Sequence, residues 1–115
     1  MYLPNNFELL ITEANRLSLY DKMVQQLNKD LLLANIDLEF DELTLPTSLK
    51  LILQDTVYHL IQEKFSEYLN LLYIVDVSEK DIKAIDGNDT RRLSEDVTFL
   101  ILKRIWQKVW YKSKY

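Results

Sequence analysis

Apolar residues in the first third of the chain recur at Phe7, Leu10, Ala14, Leu17, Tyr20, Val24, Leu27, Leu31 and Ala34. The steps are three or four residues, which is one face of an α-helix. Asn5 stands three residues before Glu8, a capping-box spacing that starts the helix there. The step from Leu17 to Tyr20, beside Ser18, is out of phase, so a kink or a break into two helices is expected at that point. Asn35-Ile36-Asp37-Leu38-Glu39-Phe40 then alternates apolar and polar, the mark of a half-buried extended segment. No partner strand is evident, and the stretch reads as a loop that inserts Ile36, Leu38 and Phe40 into the core.

A second stripe follows Pro46, which suits the first turn of a helix because its missing N–H has no intrahelical partner to lose. Leu49, Leu53, Val57, Leu60, Phe65, Tyr68, Leu72 and Val75 form its inner face, widened by Ile52, Ile61 and Leu69. Ser78 and Asp81 open a short helix through Ile82 and Ile85, and Gly87 stands where a left-handed C-terminal cap is expected. A last helix starts between Asn88 and Ser94 and presents Leu93, Val97, Leu100, Ile101, Ile105, Trp106 and Val109 on one face. Trp106 shares that face and should be buried, with Trp110 half exposed near the end. The pattern predicts one all-α domain over residues 1–115: a compact bundle of three main helices plus one short helix, with a kink or break in the first.

Composition sharpens this picture. The chain has one glycine and two prolines, too little turn chemistry for a many-stranded fold. A phosphate-binding P-loop and a dinucleotide fingerprint each need several glycines, so both are excluded. Leucine, with 22 positions, loses little rotamer freedom in a helix. The absence of cysteine removes disulfides, thiol nucleophiles and thiolate metal sites. The first residues lack a basic, then apolar, signal-peptide pattern, and the uncharged run from Tyr68 to Val75 is far short of the ~20 residues that span a bilayer. A cytoplasmic location is the expectation, by elimination.

Three constellations could carry chemistry. Asp55, His59 and Glu63 lie four residues apart on one helix face, and histidine flanked by carboxylates can hold a metal or act as a base. They also lie on the polar side of their helix, where a solvated face accounts for them. Asp37, Glu39, Asp41 and Glu42 are dense in carboxylate, but a calcium loop of the EF-hand type needs a central glycine that is missing. A serine nucleophile would have only His59 as its base, and no serine sits in an elbow motif. No catalytic residue, metal or cofactor is therefore expected.

The most distinctive text is Lys103-Arg104-Ile105-Trp106-Gln107-Lys108-Val109-Trp110-Tyr111-Lys112-Ser113-Lys114-Tyr115. Net charge is −4, unevenly spread: residues 1–98 carry 9 Lys/Arg and all 18 Asp/Glu, while residues 99–115 carry 5 Lys/Arg and no acid. Cations interleaved with aromatics can grip phosphate backbones and stack bases, or meet an acidic protein. Arg104, Lys108, Tyr111, Lys112 and Tyr115 are the candidate partner surface. The acidic overall balance weighs against nucleic acid, whose dedicated binders are usually basic, and no membrane partner is expected. The apolar excess between Tyr68 and Val75, with Phe99 and Leu102 on the last helix, calls for further cover. A twofold homodimer through the second and last helices would supply it.

The phrases Phe65-Ser66-Glu67-Tyr68-Leu69-Asn70-Leu71-Leu72-Tyr73-Ile74-Val75-Asp76 and Leu100-Ile101-Leu102-Lys103-Arg104-Ile105-Trp106-Gln107-Lys108-Val109-Trp110 resemble segments of short, uncharacterised bacterial helical proteins. The resemblance implies a helical fold and no site residue. The reading on these grounds is a non-catalytic protein-interaction or regulatory module, with a nucleic-acid-binding module as the alternative.

Overall fold

Three helices end on a residue with positive φ, and none of these residues is glycine: Ser18 (φ 56), Asn35 (φ 59) and Asp76 (φ 70). Each closes the same hydrogen-bonded motif. Beyond them the N–H groups of Leu19, Ile36 and Val77 reach back five residues to the carbonyls of Ala14, Leu31 and Leu72, at 2.8, 3.0 and 3.0 Å. These bonds satisfy carbonyls that a helix end leaves open. Short polar side chains tolerate the left-handed conformation better than most, which is how a chain with one glycine makes several sharp stops. Gly87 takes no part in this: it has no positive φ, and the short helix ends instead at Ala84 in a right-handed conformation.

The computed structural model describes residues 3–115, and all of their regular structure is α-helical. In chain order the elements are α1 (Phe7–Arg16), α2 (Tyr20–Leu33), α3 (Pro46–Glu63), α4 (Phe65–Val75), α5 (Glu79–Lys83) and α6 (Thr90–Lys114). The expected count of three main helices plus one short helix is thus corrected to six among the described residues. The break at Ser18 separates α1 from α2. A second break, which the apolar spacing did not announce, separates α3 from α4 at Lys64 (φ −142, ψ 61).

The physical reason for that second break lies in helical phase. Residue 64 stands four after Leu60 and four before Tyr68, so an uninterrupted helix would aim its ammonium into the core. Burying an unpaired charge costs several kcal/mol, more than the hydrogen bonds lost at a kink. The break leaves Lys64 exposed, with its ammonium 3.8 Å from Glu67. It also turns Phe65 outward, 54% exposed, against the expectation that it lined the inner face.

The cap of α1 is Asn6, one residue later than the spacing placed it; its Oδ1 accepts the Leu9 N–H at 2.9 Å. Asp89 caps α6, accepting from Arg91 and Arg92. Phe40 is buried and Ile36 and Leu38 are half-buried, so the segment between α2 and α3 does feed the core. It runs back along α2 as a strap. Asn28 holds the Phe40 backbone from both sides at 2.8 Å, and the Tyr20 hydroxyl donates to the Thr44 carbonyl at 2.7 Å.

The core is one continuous cluster in which α6 is the central element, packed most extensively on α3 and next on α2. Val97, Ile101, Ile105 and Trp106 are fully buried there, facing Leu53 and Val57 of α3 and Leu27 and Leu31 of α2 as members of the same cluster. Trp106 is 0% exposed and Trp110 half-buried, as the helical wheel required. Among the described residues no helix is long and apolar enough to cross a membrane.

Candidate functional site

The C-terminal stretch of α6 does not stand free. Its cationic stripe turns toward α2 and α4, and each cation of that stripe meets a different partner. Arg104 hydrogen-bonds Asp76 through both its carbonyl and its carboxylate, each at 3.1 Å. The positive charge thereby also compensates the C-terminal end of α4, where helix carbonyls are unpaired. Lys108 donates to Asp30 Oδ2 at 2.6 Å, with the two side chains 18% and 4% exposed. Lys112 donates to Gln26 Oε1 at 2.6 Å, and Gln26 Nε2 donates in turn to Asp30 Oδ1 at 2.9 Å. The result is a directional chain, Lys112 to Gln26 to Asp30, with Lys108 on the remaining carboxylate oxygen.

Asp30 and Gln26 are buried side chains of α2. They occupy the inward phase of that helix: Met23, Leu27 and Ala34 mark it by steps of four and seven, and Asp30 falls between Leu27 and Ala34. A polar residue at an apolar phase was the available signal for this network.

Beside the network a groove of about 480 Å³ runs between α2 and α6. Lys22, Gln25, Gln26 and Lys29 line it from α2, at spacings of three and four residues that place them on one face. Lys112 and Ser113 line it from α6, with Leu19 and Val109 as apolar margins. Among the described residues no carboxylate lies in its wall. Two acids bonded to its lining residues are Asp30, held also by Lys108, and Glu42 of the strap, which accepts from the Gln25 amide at 2.9 Å. A second groove, between the start of α1, α3 and α6, differs: Lys50 faces Glu95 and Asp96 there, so opposite charges offset.

The aromatic residues at the end of α6 lie outside the lining of the lysine groove. The Trp110 and Tyr111 rings meet edge to face at 5.3 Å, and Tyr111 and Tyr115 stack at 6.3 Å. Tyr111 is 49% and Tyr115 96% exposed, and Lys114 reaches over the Trp110 ring at 5.5 Å. Of the five expected surface residues, then, Lys108 and Arg104 are engaged in intramolecular ion pairs, Lys112 points into the groove, and Tyr111 and Tyr115 remain open. The α2 half of the site, Lys22, Gln25 and Lys29, escaped the sequence reading because it is distant in sequence and individually ordinary.

Asp55, His59 and Glu63 are all exposed on α3. His59 Nε2 lies 3.6 Å from Asp55 Oδ1, both well solvated at 57% and 74% exposure. Among the described residues no three His, Cys, Asp or Glu side chains converge as a metal would need. Asp37, Glu39, Asp41 and Glu42 line the strap, where Asp41 Oδ1 accepts the Leu43 N–H at 2.7 Å in a local turn.

Comparison with known proteins finds no matching family model, no matching curated protein and no matching solved structure.

Proposed function

We propose that this protein is a non-catalytic interaction module that engages a partner protein through the α2–α6 groove and the aromatic end of α6, in the cytoplasm. The observation that carries this reading is the lysine-and-amide wall of the groove, with Tyr111 and Tyr115 exposed on another side of the same helix end. Tyrosine is enriched at interfaces, and lysines there serve charge complementarity, which steers and selects a partner of opposite sign. The chemistry of the wall supplies hydrogen-bond donors and positive charge, which bind and orient. It pairs no nucleophile with a base.

Site-specific photo-cross-linking in the native cytoplasm tests the proposal. A photoreactive residue replacing Gln25 or Tyr111 should form protein adducts that the same residue at Glu63, on the far polar face of α3, does not. Adducts to nucleic acid at Gln25 and Tyr111 would favour the alternative module instead. Adducts of equal yield at all three positions would remove the proposal.

A second surface supports self-association. Phe65, Leu69 and Tyr73 stand four residues apart on α4 and are 54%, 51% and 81% exposed. A row of apolar side chains on one helix face can meet its own copy across a twofold axis, the commonest symmetry of soluble oligomers. The expected interface of the second and last helices narrows on this reading to α4, because Leu102 is buried and Phe99 packs on the core, and Leu69→Asp shifts the chain to monomer in sedimentation across a hundredfold concentration range. A wild-type monomer at every concentration would exclude the dimer.

A further inference from the structure

We infer that the α2–α6 groove receives an acidic, extended peptide segment of its partner, whose carboxylates are held by Lys22, Lys29 and Lys112. The inference rests on the interaction-module reading above and gives that partner its chemistry. Three observations lead to it.

The first is that these cations are unspent. Lys22, Lys29 and Lys112 have no carboxylate within ion-pair distance among the described residues, whereas Lys108 and Arg104 of the same seam do. Among the described residues none of the 18 acidic side chains lines the groove itself.

The second is that Lys112 is positioned. An ammonium carries three donors, and one of them is fixed on Gln26 Oε1 at 2.6 Å. Gln26 cannot turn its amide over, because its Nε2 is committed to Asp30 Oδ1 and the flip would set an NH2 group against an ammonium. Asp30 cannot move either, since Lys108 holds its other oxygen. Two N–H bonds of Lys112 are left for a ligand, with less side-chain entropy to lose on binding than a free lysine has. Gln26 is in this sense a positioning residue.

The third is the spacing and the surroundings. Lys22 and Lys29 are seven residues apart on α2, about 10 Å along the helix axis. An extended peptide in the polyproline II conformation repeats its face every three residues, about 9 Å, so acidic side chains three residues apart on it match the two lysines. The groove is also short and bordered by negative charge. The strap carries Asp37, Glu39, Asp41 and Glu42 along α2, with Glu42 bonded to Gln25 at the groove's edge. A short acidic peptide fits between these limits. A continuous polyanion such as a nucleic acid would run onto the strap and be repelled.

Fluorescence anisotropy on the full chain tests the inference. The probe is a labelled ten-residue peptide with Glu at every third position; a glutamine version of that peptide and a thymidine oligonucleotide of similar length are the controls. The acidic peptide should bind in a salt-sensitive manner. Lys22→Glu with Lys29→Glu should raise its Kd at least tenfold, and so should Lys112→Glu. Lys80→Glu with Lys83→Glu on α5, an equal change in net charge, should move it less than twofold. Equal losses from the groove and α5 variants would mean general charge attraction and overturn the inference. Lysine-dependent binding of the oligonucleotide in preference to the peptide would overturn it too. If the peptide fails to bind while protein adducts still form at Gln25 and Tyr111, the acidic-ligand inference falls and the interaction-module reading stands; if the adducts also fail, both fall.

Discussion

The seam of α6 with α3 is apolar, whereas its seam with α2 carries a polar edge beside the same apolar cluster. Against α3 the helix places Val97, Ile101 and Ile105 in an apolar cluster with Leu53 and Val57. Against the far half of α2 it places Lys108 and Lys112 on Asp30 and Gln26. The first seam gains roughly in proportion to the apolar area it removes from water and asks little of direction. The second gains much less, because desolvating charges offsets most of their attraction. What it supplies is orientation: one lysine neutralised, the next fixed and left with open donors. A helix of 25 residues thus holds the fold together along one side and presents cations along the other.

If that division is right, core truncation has the largest effect. Trp106→Ala should destabilise by about 3–5 kcal/mol, the usual cost of removing a large buried aromatic, and Trp110→Ala should cost clearly less. Among the described residues the indole Nε1 of Trp106 has no hydrogen-bond partner, so no lost polar contact adds to the figure. Equal effects in denaturant titration would contradict the packing.

Breaking the polar seam comes next. Lys108→Met leaves the Asp30 carboxylate buried with only the Gln26 amide, and should cost about 3 kcal/mol, at the lower end for an orphaned buried charge because the site is near the surface. The double change Asp30→Leu with Lys108→Met should recover most of that loss. A double variant as unstable as the single one would show that the pair stabilises the fold in its own right.

Smaller effects test the helix ends and the aromatic phenols. Ser18→Gly relieves a left-handed backbone position and should raise stability by up to about 1 kcal/mol, seen as a small rise in Tm. Burial pushes the Tyr68 phenol above its ordinary value, and Tyr20 likewise. The neutral forms are therefore favoured by folding, so this contribution is intact below about pH 10 and fades as pH rises through the elevated folded values. Tyr68→Phe should flatten that alkaline loss in a series of melts; an unchanged slope would mean that other groups carry it.

The same contrast separates what the sequence discloses from what it hides. Apolar periodicity marked the α3 and α6 faces and the burial of Trp106, because a three-to-four-residue repeat translates directly into a helix face. It also located the break at Ser18, where the repeat slips. It joined α3 to α4, since Leu60 and Tyr68 stay in phase across Lys64 and only the charge at that position betrays the break. Gly87 drew the expectation of a left-handed cap that Ser18, Asn35 and Asp76 fulfil instead. The cationic character of the last helix was legible as text. Its partners were not: Lys112 and Gln26 are 86 residues apart, and no local spacing relates them.

The most direct test of the account is a map of amide chemical shifts in the full chain as the acidic decapeptide is added. The largest shifts should fall on residues 22–29 of α2 and 109–113 of α6, on both walls of the lysine groove, with residues 65–73 of α4 unmoved. Shifts centred on α4, or spread evenly over the surface, would contradict it.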